Sequence, residues 1–69
     1  MANKKTRVGV VLPNRLNVRE TPGGKVIGFL NSGDSVDVIS NKDGWLKIRH
    51  ENFLAWVNGE FVAVEVRSE

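Results

Sequence analysis

The chain has 69 residues, a formal charge of +2 and no cysteine. That size allows one small domain near the lower limit for unaided folding, and the missing thiols exclude disulfides and thiolate metal sites, so packing alone must hold it. Lys4, Lys5 and Arg7 lie in the first seven residues, and removing these three charges from the net +2 leaves −1 for the rest. The basicity therefore belongs to a short leading segment, a pattern that disfavours a nucleic-acid-binding face.

From the N-terminus onward the apolar period is close to two. Val8, Val10 and Leu12 alternate and predict a strand over 7–12 with those three on its inner face. A Pro13-Asn14 turn follows, then Leu16 and Val18 predict a strand over 16–18, with Asn17 and Arg19 pointing outward. Thr21-Pro22-Gly23-Gly24 is a turn signal, because Pro presets φ and Gly admits positive φ. It separates that strand from another over 26–30.

Asn31-Ser32-Gly33-Asp34 turns the chain into a strand over 35–40, whose Val36 and Val38 face inward and whose Asp37 faces water. Asn41-Lys42-Asp43-Gly44 then leads to a strand over 45–50, with Leu46 and Ile48 inward. Ala55 and Val57 mark a strand over 54–57, residues 58–61 suit a single 3₁₀ turn, and a last strand covers 61–66 with Phe61 in the core. Residues 1–7 read as a basic tail, 8–66 as the domain and 67–69 as a short trailing segment. Many short strands at this spacing, in so few residues, predict an all-β barrel and no long helix.

No apolar run approaches the ~20 residues of a membrane-spanning helix, so membrane insertion is not expected. The leading basic residues and Val8–Leu12 follow the charge order of an export signal, but this apolar run is short and no small-residue cleavage site follows. A complete chain is thus expected in the cytoplasm, whereas a module of a larger exported protein belongs to the cell envelope.

Catalytic chemistry finds little footing. His50 is the only histidine, and one imidazole cannot assemble a triad or a zinc site. It reads as an exposed residue ending a strand. Asp34, Asp37, Asp43, Glu51 and Glu60 are explained by turns and wet faces, and Gly23-Gly24 precedes a strand and not the helix a phosphate cradle requires. No enzyme activity, cofactor or metal is expected. The informative set is Trp45, Lys47 and Arg49, which share the outward face when Leu46 and Ile48 point in; Trp56 extends it and Arg19 adds a third cation. A bland reading competes with it, in which Trp45 lids the barrel and the cations are merely solvated.

The ordered segments LNVRETP, KVIGFLNSGDSVDVI, DGWLKIR and AWVNGEFV resemble the bacterial SH3-like, or SH3b, domain over roughly residues 8–64. The resemblance implies a small β-barrel without catalytic residues, of a kind often attached to cell-wall hydrolases and other envelope proteins. It also implies that the segment after LNVR is the RT loop, one wall of the ligand groove. Here that loop is short and Gly-rich, which predicts a low wall and a shallow groove. The expected function is a binding module for a protein or peptide ligand, using Arg19, Trp45, Lys47, Arg49 and Trp56. Peptidoglycan targeting within a larger hydrolase is one alternative. A nucleic-acid-binding barrel using the same stripe with Lys4, Lys5 and Arg7 is another.

Overall fold

A computed structural model of the chain describes residues 5–68, with side chains described over 6–67. The strands are β1 (Lys5–Val11), β2 (Leu16–Arg19), β3 (Val26–Leu30), β4 (Ser35–Lys42), β5 (Trp45–His50), β6 (Phe53–Asn58) and β7 (Val62–Ser68), with a 3₁₀ turn at Gly59–Phe61. They form one antiparallel sheet in the order β3-β2-β6-β5-β4-β1-β7. Strand β1 begins at Lys5, inside the segment expected as a tail, and residues 1–4 of that segment lie outside the described residues.

The sheet curls around one core. Leu16 and Val18 of β2, Val36 and Val38 of β4, Leu46 and Ile48 of β5, and Ala55 and Val57 of β6 are all buried in it. In each strand the buried pair is spaced by two, because successive side chains take opposite faces of a pleated strand. Two β-bulges break this parity. At Val18/Arg19 the partner register steps from Gly28 to Val26, leaving Ile27 unpaired, and in β4 it steps from Val38 to Ser40, leaving Ile39 unpaired. Both isoleucines are exposed. An extra residue bends the strand and raises its twist, which helps a narrow sheet close on itself.

Strand β1 corrects the expected pattern. Its inner face carries Val11 and Gly9, while Leu12 is 57% exposed; Val8 is buried as expected, but on the other face and outside the central cluster. The register shows why: Gly9 stands opposite Val36 and Val64, and Val11 opposite Val62, and directly paired residues share a face. A Cβ on Gly9 would lie 2.7 Å from Val62 Cγ1 and 3.1 Å from Val38 Cγ2. The strand crosses the core so closely that the inward position has room only for glycine.

Phe61 is a second correction. It is 44% exposed, and Val62 takes the buried place opposite Val11. Asn58 caps the 3₁₀ turn through its side chain, which accepts from the Glu60 amide at 3.0 Å. The turn rotates the chain so that Val62 is the first residue to re-enter the sheet. Phe61 stays on the rim, where its carbonyl accepts from the Leu12 amide at 3.0 Å.

Candidate functional site

Two separated segments meet beside the open end of the core. One is the stretch from Pro13 through β2. The other comprises Trp45 at the start of β5, Asn58 at the end of β6 and Phe61 after the 3₁₀ turn. Between them lies an open cleft of about 200 Å³, also lined by Arg15, Leu16, Asn17 and Arg19.

Trp45 is positioned by a tight hairpin. Lys42 pairs with Trp45 across the two-residue link Asp43-Gly44, whose φ values of 51° and 87° are both positive. This is the turn geometry whose twist matches two antiparallel strands, and the Asn41 side chain accepts from the Gly44 amide at 3.1 Å. Across β6, Trp45 faces Asn58. Its ring is half-buried, with the β2–β3 loop near one edge, since a Cβ on Gly23 would lie 3.9 Å from Trp45 Cζ2.

Arg19 closes the β2–β3 loop. Its Nη1 donates to the Gly24 carbonyl at 2.8 Å, and within the loop the Glu20 amide donates to the Lys25 carbonyl and the Gly24 amide to the Thr21 carbonyl. Its Cζ lies 6.0 Å from the Trp45 ring centroid. The loop is thus short and folded back on itself. On the same segment, four residues before Arg19, Arg15 lies over Phe29, with Cζ 4.1 Å from the ring centroid. Among the described residues no carboxylate lines the cleft, and the charged groups there are two guanidiniums.

Of the five residues singled out in the sequence, Arg19 and Trp45 meet in this cleft. Trp56 stands opposite Arg19 on one side and Lys47 on the other, so Arg19, Trp56 and Lys47 form one cross-strand row on the sheet's outer face. Arg49 lies in the next row, between Asp37 and Leu54. Lys47, Arg49 and Trp56 are not among the residues that line the cleft. Sequence reasoning missed Pro13, Arg15, Asn17, Asn58 and Phe61. Phe61 carried a core signal, and Arg15 and Asn58 acquire their place only when the two segments are brought together.

Elsewhere, His50 is half-buried at the end of β5, edge-on to Phe53 at 5.9 Å between centroids. Among the described residues no group of three His, Cys, Asp or Glu side chains converges as a metal site, and no helix is long and apolar enough to cross a membrane. Comparison with curated proteins and with solved structures returns no significant match. A family model for the bacterial SH3 domain matches residues 14–63, most of the chain and both walls of the cleft, and this protein belongs to that family.

Proposed function

We propose that the domain recognises a protein or peptide segment at the cleft between Arg19 and Trp45, without catalysing a reaction. Bacterial SH3 domains are binding modules in general. The observation that carries the reading for this chain is a half-buried tryptophan at the mouth of a cleft, with a guanidinium tethered beside it. An indole fixed in this way offers large apolar area at low entropic cost, and Trp and Arg are the residue types over-represented at binding hot spots. Trp56 and Lys47 continue the cross-strand row that begins at Arg19, and Arg49 lies one row beyond, where a longer ligand would meet them.

The test is partner capture followed by NMR shift mapping on the labelled domain, with insoluble peptidoglycan as a parallel bait. Trp45→Ala is expected to weaken binding by about 2 kcal/mol while the amide spectrum stays dispersed. Lys47→Ala with Arg49→Ala is expected to slow association and flatten its salt dependence more than it speeds dissociation. Shifts confined to Asn31–Asp34 would place the site elsewhere, and unfolding of Trp45→Ala would make the ring structural.

A further inference from the structure

We infer that the cleft is a carboxylate seat: a ligand carboxylate sits between Arg15 and Arg19 while a neighbouring apolar group lies on Trp45 and Phe61. This rests on the cleft being the binding site. The first support is how the cations are held. Arg15 is stacked on Phe29 at 4.1 Å and Arg19 lies by Trp45 at 6.0 Å. A guanidinium lying on an aromatic face keeps its N–H edges available, and the stacking removes much of the rotamer freedom that a salt bridge otherwise has to freeze.

The second support is an imbalance of donors over acceptors. Arg19 spends Nη1 on the Gly24 carbonyl and keeps its other donors. Asn58 spends its Oδ1 on the Glu60 amide, which leaves its Nδ2 as the group it can offer. The ion pairs among the described residues join His50 to Glu51 and Arg67 to Glu65, so neither cleft arginine is in one. A site with two planar forks, an amide donor and no carboxylate of its own is satisfied by a ligand that brings planar acceptors, and a carboxylate matches a guanidinium fork two bonds at a time.

The third support is size and surroundings. A volume of about 200 Å³ is small beside the roughly 300–1,000 Å³ of sites for drug-sized ligands. It suits one anchoring group and not an extended polyanion. Glu20 adjoins Arg19 and Glu60 adjoins Phe61 in the chain, and both are exposed, which opposes a run of phosphates across this surface. The favoured ligand is therefore a peptide presenting an acidic group beside an apolar side chain. The acid is either a side chain or a chain terminus.

Three probes test this on the ¹⁵N-labelled domain: N-acetylphenylalanine, its primary amide, and N-acetylaspartylphenylalanine amide. The amides of residues 15–19 and 58–61 and the Trp45 indole N–H are followed during titration. At least one of the two acids is expected to bind at the cleft tenfold or more tightly than the plain amide, and which of them does so identifies the carboxylate's source. Arg15→Gln is expected to erase that advantage, lowering affinity for the favoured acid tenfold or more and affinity for the plain amide far less. Arg19→Gln is expected to do the same, but it also frees the Gly24 carbonyl, so Arg15→Gln is the decisive variant. Equal binding of all three probes at the cleft overturns the carboxylate seat and leaves the cleft as the binding site. No shift at the cleft from any probe, at concentrations up to their solubility, overturns both.

Discussion

Gly9 shows how much one atom can decide here. Adding a methyl group places carbon 2.7 Å from Val62 Cγ1 inside a close-packed interior. Gly9→Ala is expected to destabilise the domain by about 1–3 kcal/mol, the usual range for overpacking. Because Val62 is the nearest obstacle, Gly9→Ala combined with Val62→Ala is expected to cost less than the two single changes together in a double-mutant cycle by denaturant titration. Strict additivity would mean that Val38, at 3.1 Å, is the atom that fails to yield. Glu51 presents the opposite case. It holds φ at 55° in the short link between β5 and β6, a conformation that burdens any side chain bearing a Cβ. Glu51→Gly is expected to stabilise by roughly 0.5–1 kcal/mol, and a loss in denaturant titration would show that the glutamate side chain offsets its own strain.

At the scale of elements, the strands divide by how faithfully hydropathy reports their faces. In β5 and β6 the alternation was readable, because Leu46, Ile48 and Val57 are flanked by polar or aromatic residues, Ala55 keeps their spacing of two, and no bulge intervenes between the two strands. Ile48→Ala is expected to cost about 2–4 kcal/mol, since Ile48 has no exposed surface and leaves a cavity. Lys42→Ala, on an exposed strand end, should stay within about 0.5 kcal/mol by the same measurement. Strand β1 was misread because its decisive inward residue is a glycine, which carries no hydropathic signal, and because Val10, Val11 and Leu12 run on without alternation. Phe61 was misread for a related reason: the 3₁₀ turn shifts the inward position by one residue, and only the hydrogen-bonding pattern reveals that shift. The turns themselves were legible. Gly33 and Gly44 both hold positive φ, at 90° and 87°, as Asn/Asp-rich turn signals require. Gly44→Val should therefore destabilise the β4–β5 hairpin and, through it, the position of Trp45.

For the whole molecule, the all-β class and the family were both legible, because they rest on the order and spacing of many short segments. The proposed binding cleft was legible only in part. Arg19 and Trp45 advertise themselves by residue type, whereas Arg15 and Phe61 join them through a fold that brings Pro13–Arg19 against the 3₁₀ turn. With one core and no cross-links, the domain should unfold as a unit. Far-UV circular dichroism and the fluorescence of the half-buried Trp45 and Trp56 are expected to change together in urea. Separate midpoints would reveal that the cleft loosens before the sheet.

The pairing of β1 with β7 has a mechanical meaning. These antiparallel strands are in register from Val11 opposite Val62 out to Lys5 opposite Ser68, so the two ends of the described chain leave the domain side by side. A load applied between them does not shear the ladder, in which case many hydrogen bonds would resist at once. It peels the strands apart from the Lys5–Ser68 end, one pair after another. Tethered through these ends, the domain should therefore open at low force in optical-trap measurements, and it should bear more when tethered so that the load runs along the strands. As a link in a tensioned polypeptide it would behave as a weak, extensible element and not as a rigid one.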